Sequence, residues 1–132
     1  MKTYFLLAVG VACVGVASVC WARAEQKDDL QALMRKKLQS SQQVLEGLAL
    51  NDFDKISKHA GELIRISQAG EFRVLKTAQY ELYSNQFRRS VETMDEMARG
   101  KNGDGAALAY VEMTLTCVKC HKHVREVRMA SR

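Results

Sequence analysis

The sequence predicts an all-α fold, an antiparallel up-down-up-down four-helix bundle. The 132-residue chain contains no proline, so no residue is barred from a helix interior. Beyond residue 24, apolar residues recur at intervals of three and four in four long stretches, which is the period of amphipathic helices. Short segments separate most of these stretches. Long amphipathic helices joined in this way bury their apolar faces best as an antiparallel bundle.

The first 24 residues are typical of an export signal. Lys2 provides a basic start, and the stretch after it is uncharged and almost wholly apolar. Ala22–Arg23–Ala24 then forms an A-x-A site of the kind that signal peptidase cuts. We therefore expect a signal peptide at 1–24, a mature domain at 25–132, and a periplasmic or otherwise exported location. The alternative is an uncleaved membrane anchor, because the apolar run from Tyr4 to Trp21 is just long enough to span a bilayer.

Cleavage after Ala24 changes both the charge and the cysteine count. Lys2 and Arg23 leave and no acidic residue does, so the net charge falls from +5 to +3. So small and mixed a charge does not favour nucleic-acid binding, which we do not expect. Cleavage also removes Cys13 and Cys20, so the mature chain keeps only two cysteines, Cys117 and Cys120. Two cysteines are too few for a disulfide framework.

The first two predicted helices span about 28–50 and 52–69, with Asn51 as the cap of the second and Gly70 as its end. The predicted inner face of the first consists of Leu30, Met34, Leu38, Ser41, Leu45 and Leu48. That of the second consists of Phe53, Ile56, Ala60, Leu63 and Ser67. A connection at 70–78 follows, and we expect its Phe72 to pack on the core.

The third predicted helix spans about 79–99 and ends at Gly100, and residues 101–105 are predicted to form a turn. Its inner face is predicted to consist of Tyr80, Tyr83, Phe87, Val91, Met94 and Ala98. The fourth helix spans about 106–128. Its predicted inner face includes Ala107, Tyr110, Met113 or Thr114, Cys117 and His121.

The two remaining cysteines belong to a motif. Residues 117–121 read C-x-x-C-H, which is the attachment site of a c-type haem. On a helix, positions i, i+3 and i+4 share one face. Cys117 and Cys120 can each form a thioether with a porphyrin vinyl group, while His121 binds the iron. The sequence thus predicts one covalent haem c.

Other sites can contain two cysteines at this spacing. A thioredoxin-like C-x-x-C begins a helix after a strand, and no strand is predicted before Cys117. Zinc needs four ligands, and Cys117, Cys120, His121 and His123 are too close in sequence to close a tetrahedron. A haem-free exported helical protein, with a disulfide between the two cysteines, stays as an alternative.

The motif and the helical layout together resemble the class II c-type cytochromes, the cytochrome c′ family. Members of that family are periplasmic four-helix bundles with C-x-x-C-H near the end of the last helix. Arg125 matches a basic residue that often follows the histidine in the family, and Val124 stands where an aromatic residue often precedes it. The resemblance implies that Arg125 screens the proximal histidine. It also makes a homodimer an expectation, since family members often pair through their first two helices.

The resemblance leaves two functions open, and the sixth iron ligand distinguishes them. Bundle topology places the start of the first helix beside the end of the fourth, so Met34 should lie near the haem. In low-spin relatives a methionine on the first helix is the sixth ligand, which suits electron transfer. In high-spin relatives an apolar residue leaves the iron open to nitric oxide or carbon monoxide. The alternative for Met34 is simple core packing.

We therefore expect an exported monohaem c-type cytochrome that carries single electrons, with a gas-binding module as the alternative. The chain shows no acid–base pair or nucleophile constellation, so we do not expect an enzyme. The implied partner is a redox protein of unknown identity. Six basic residues are candidates for its docking patch: Lys36, Lys37, Lys119, Lys122, Arg125 and Arg128.

Overall fold

Residues 29–69, 72 and 74–131 are described by a computed structural model, and these residues fold into four helices. The helices are α1 (residues 29–50), α2 (Phe53–Gln68), α3 (Ala78–Arg99) and α4 (Gly103–Ala130). The described residues contain no β-strand. The predicted all-α four-helix bundle is confirmed, whereas the predicted signal peptide lies outside the described residues.

The core belongs to one compact unit, Leu33–Arg132. The described part of the chain's other unit, residues 29–32, is the first turn of α1. Across the described residues, no helix combines the length and the continuous apolar character needed to cross a bilayer.

Two ion pairs show that α1 and α2 run in opposite directions. Lys36, in the first half of α1, pairs with Glu62 of α2 at 3.7 Å. Glu46, near the end of α1, pairs with Lys55, near the start of α2, at 2.6 Å. The connection between these helices is only two residues long, so an antiparallel hairpin is the arrangement that it permits.

Two further contacts place α4 in the bundle. The Ser41 hydroxyl of α1 donates to the Tyr110 hydroxyl of α4 at 3.4 Å. The start of α3 meets the end of α4, where Thr77 Oγ1 lies 2.9 Å from His123 Nε2. Helix α4 therefore packs between α1 and α3 and is antiparallel to α3.

Small and aliphatic side chains dominate the core. Its members are Val44, Ile56, Ala60, Leu63, Phe87, Val91, Met94, Ala98, Ala106, Ala109 and Met113. The predicted inner faces of α2 and α3 agree closely with this set. Tyr83 is the main departure on α3, because it is half-buried.

The predicted inner face of α1 is wrong by about one residue. Leu38 and Leu45 are 61% and 52% exposed, whereas Val44 is fully buried. The cause is the close approach of α1 to α2, because a Cβ on Gly47 would lie 2.9 Å from Ile56 Cγ1. With Gly47 facing α2, Val44 faces the core. A one-residue shift turns a helix by about 100°.

The predicted inner face of α4 is also wrong in part. Ala107 and His121 are exposed, whereas Met113, one of the two predicted alternatives, is buried together with Ala106, Ala109 and Thr116. Helix α4 carries a second apolar stripe on its opposite side, whose four members are each more than half exposed: Leu108, Val111, Leu115 and Val118. Because α4 is apolar on two faces, the spacing of its apolar residues does not indicate which face packs against the core.

The α1–α2 and α3–α4 connections share one backbone design. Asn51 and Lys101 adopt left-handed conformations, with φ of 56° and 55°. The next amide in each case, Asp52 or Asn102, donates to a carbonyl five residues earlier, at 2.8 and 2.9 Å. This is the Schellman motif that satisfies the last carbonyl groups of a helix.

The residue after each left-handed position caps the next helix. The Asp52 side chain accepts from the Lys55 amide, so Asp52 and not the predicted Asn51 caps α2. The Asn102 side chain accepts from the Gly105 amide at 2.9 Å. Helix α4 therefore begins at Gly103, and the predicted turn at 101–105 is too long by three residues.

We expect Lys101→Gly to raise the free energy of unfolding by about 0.5–1 kcal/mol, because a non-glycine residue is strained in the left-handed region. Chemical denaturation would measure the change. Lys101→Ala removes the same charge and side chain without relieving the backbone, and should leave stability nearly unchanged. Equal effects of both substitutions would contradict a conformational origin.

Candidate functional site

The two cysteines of the C-x-x-C-H motif lie in the second half of α4, far from its first residue, Gly103. Cys117 and Cys120 are both free and half-buried. Being three residues apart on a helix, they are directed to the same flank. The structure thus presents two thiols side by side towards the interior of the bundle.

An aromatic cluster lies at this end of the bundle. Phe72 is buried as predicted, and its ring centroid is 6.3 Å from those of both Tyr80 and Phe87. Tyr80 and Phe87 belong to the first half of α3, and Phe72 to the connection that precedes it. These three rings form an apolar wall contributed by two segments of the chain.

The hydroxyl of Tyr80 holds the connection in place. It donates a hydrogen bond to the Phe72 carbonyl and accepts one from the Val74 amide at 3.4 Å. Burial of the hydroxyl raises the pKa of Tyr80, so this group stays protonated and able to donate. Tyr80 therefore fixes the backbone that carries Phe72.

Lys37 points into the same region from α1. Its Nζ atom lies 3.6 Å from the ring centroid of Phe87 and 4.6 Å from that of Phe72, which is cation–π geometry. Burial lowers the pKa of Lys37, and only ionisation of Cys117 or Cys120 to the thiolate opposes this shift. Lys37 is half-buried, and its ammonium group lies against the aromatic rings.

Burial also dominates the chemistry of the two thiols. It raises the pKa of Cys117 and of Cys120, while the nearby Lys37 ammonium acts in the opposite direction on both. Both groups are thiols rather than thiolates at neutral pH. A thioredoxin-like cysteine differs in both respects, because it lies at a helix N-terminus and has a lowered pKa.

His121 lies one residue after Cys120 and is exposed. Partial desolvation lowers the pKa of His121, and the positive charges of Lys37 and Arg125 lower it further. The imidazole is therefore neutral at pH 7, which is the form that binds a metal ion. Arg125 lies one turn further along α4, and its positive charge is one of the contributions that lower the pKa of His121.

His123 is the site residue whose environment the sequence did not reveal. It is half-buried, pairs with Thr77 Oγ1 and packs edge-on against Tyr83 at 6.2 Å. The sequence does contain an indication of the Thr77–His123 contact, because these two residues are equally distant in sequence from Gly100. Two antiparallel helices that meet at a tight turn bring such positions together.

Met34 lies three residues before Lys37 on α1 and is half-buried. The C-x-x-C-H residues, Lys37 and the aromatic cluster are thus gathered at one end of the bundle. Within the part of the chain that the structure describes, no three histidine, cysteine or acidic side chains converge as a metal-binding group.

The donor set fits a covalently bound haem in its chemistry. Two adjacent protonated thiols are available for thioether formation, and a neutral imidazole follows the second of them. The Phe72, Tyr80 and Phe87 rings offer an apolar surface to a flat macrocycle. The Lys37 ammonium group lies over two rings of this surface, those of Phe72 and Phe87.

We expect Tyr80→Phe to lower the free energy of unfolding by about 1–2 kcal/mol, because the buried Phe72 carbonyl loses its donor. Thermal or chemical unfolding would measure the loss. Tyr83→Phe is the matched control, since the Tyr83 hydroxyl makes no hydrogen bond to any described residue. Equal losses in the two variants would argue against Tyr80 as the anchor of the connection.

The site combines residues from α1, the 69–77 connection, α3 and α4. Side chains of this chain supply all of its thiols, imidazole, amine and aromatic rings. Comparisons with protein-family models, with curated proteins and with solved structures find no match to this chain.

Proposed function

We propose that this protein is an exported monohaem c-type cytochrome that carries single electrons. The observation that carries the proposal is the placement of Cys117 and Cys120 on one half-buried flank of α4, beside His121. The resemblance of the motif and bundle to the cytochrome c′ family supports the same function. The export signal read in residues 1–24 supplies the compartment in which c-type haem is attached.

Each residue of the site has a role in this proposal. Cys117 and Cys120 tether the cofactor, and a ring nitrogen of His121 binds the iron. The bound haem supplies a one-electron couple. Phe72 and Phe87 exclude water from the site, and a less polar environment is one of the means by which a protein tunes a haem potential.

Exposed basic residues flank the motif and provide a docking surface for an acidic redox partner. Lys119, Lys122 and Arg125 are all exposed on α4. Lys122 lies 3.9 Å from Glu126, a surface pair too long and too exposed to neutralise the lysine. Steering by such a surface raises encounter rates with anionic partners.

Substitution of both thiols tests the covalent attachment. The full-length chain, produced in a host with cytochrome c maturation, should be red and keep its haem through acid–acetone extraction. Cys117→Ser/Cys120→Ser should release all haem into the extract. Val118→Ser is the matched control, because it places the same side chain at an exposed position inside the motif and should retain the haem.

The same preparations separate the alternatives. Colourless wild-type protein, or haem that extracts from it, would contradict the proposal and favour the haem-free helical protein. Low-spin bands that persist under carbon monoxide agree with an electron carrier. A high-spin spectrum that shifts with carbon monoxide would replace electron transfer with gas binding.

Lys122→Glu tests the basic surface. At low ionic strength, oxidation of the reduced protein by ferricyanide should slow a few-fold in this variant, and the difference should vanish in high salt. Stopped-flow absorbance would measure the rate. Lys101→Glu is the control, because it changes the same charge at the opposite end of α4 and should have little effect. Equal slowing in both variants would exclude a local docking surface.

A further inference from the structure

The orientation of Lys37 is unusual for a lysine. Lysine side chains ordinarily run along apolar surface and keep the ammonium group in water. Here Nζ is directed inward, 3.6 Å from the Phe87 ring centroid, although Lys36 beside it remains exposed and pairs with Glu62. The inward direction of Lys37 therefore comes from the rotation of α1 and not from a general lack of solvent at this end of the helix.

The amine reaches the motif from the helix that faces it. Burial raises the pKa of Cys117 and Cys120 and lowers that of His121, and the positive charge of Lys37 acts to lower the pKa of all three groups. The rings below the amine, Phe72 and Phe87, belong to the aromatic cluster at this end of the bundle. Lys37 thus extends from α1 and places its amine at the site.

Met34 occupies a different position on the same helix. It lies almost one turn earlier, and the rotation that exposes Leu38 by 61% places both residues towards the flank of α1 rather than its inner face. Lys37 lies on the inner face with Val44, two turns further along. The rotation of α1 therefore favours Lys37 over Met34 as the group presented to the interior.

We propose that Lys37 supplies the sixth ligand of the haem iron, through its amine nitrogen. The inference rests on the proposed function, because it needs a covalently bound haem. A neutral amine has a free lone pair, so the ammonium proton passes to solvent as the nitrogen–iron bond forms. Ligation by an amine would stabilise ferric iron more than a methionine thioether does and would give a lower reduction potential.

Three matched substitutions test the ligand. Lys37→Leu keeps a shorter aliphatic side chain at this position and removes the amine. Met34→Leu removes the competing thioether, and Lys36→Leu removes a neighbouring lysine that is exposed. Electron paramagnetic resonance and near-infrared spectra of the ferric proteins report the identity of the axial ligands.

We expect amine–imidazole signatures in the wild type, in Met34→Leu and in Lys36→Leu, and their complete loss in Lys37→Leu. An unchanged spectrum in Lys37→Leu would overturn the inference. A methionine–iron charge-transfer band in the wild type that disappears in Met34→Leu would overturn it as well. A five-coordinate wild type would overturn it too, since no sixth ligand would be present.

Lys37→Arg separates ligation from charge. Arginine keeps the positive charge but does not bind the iron, so the amine signature should disappear in this variant too. A low-spin spectrum like that of the wild type would mean that the lysine contributes charge only, and would overturn the inference. Circular dichroism establishes that each variant keeps the helical fold.

Failure of the inference and failure of the proposed function give different results. Haem that extracts from the wild type would remove the proposed function and this ligand together. Haem that resists extraction in every variant, combined with an unchanged Lys37→Leu spectrum, would remove only the ligand.

Discussion

The contact between Gly47 and Ile56 is the constraint on which the arrangement of the site depends. A Cβ on Gly47 would lie 2.9 Å from Ile56 Cγ1, so any larger residue at position 47 would force Ile56 or the helices to shift. This approach directs Gly47 and Val44 inward and turns Leu38 outward. Through the same rotation, Lys37 enters the interior beside the thiols. A site on α4 is thus shaped by packing at the opposite end of α1.

The two ends of the bundle differ in polarity. One end, called here the closed end, carries the two short connections α1–α2 and α3–α4. There, Met94, Ala98 and Ala106 form an apolar core. At the other end, an amine and two thiols share the interior with aromatic rings. Buried polar groups destabilise a fold unless they have partners. Such departures from an apolar core are expected where a protein carries function, and they coincide here with the C-x-x-C-H motif.

The connections between helices also differ between the two ends of the bundle. Connections of two and three residues, with left-handed Asn51 and Lys101, join the helices at the closed end. The longer connection at the site end needs a separate anchor, which the Tyr80 hydroxyl provides by bonding to the backbone on both sides of residue 73. Thr77 adds a second link, because it caps α3 and also pairs with His123 of α4. The geometry of the site end therefore depends on side chains rather than on turn conformation.

The sequence by itself determined the number and type of the elements, the inner faces of α2 and α3, and the C-x-x-C-H motif. These features are local: a clear apolar period, capping residues and five adjacent positions are sufficient to define them. The tertiary structure decided the rotations of α1 and α4. On α1, close packing at Gly47 outweighed the leucine pattern, and on α4 two apolar faces left the period ambiguous. The inward position of Lys37 and the half-buried His123 follow from these contacts between helices, which no local pattern in one helix contains.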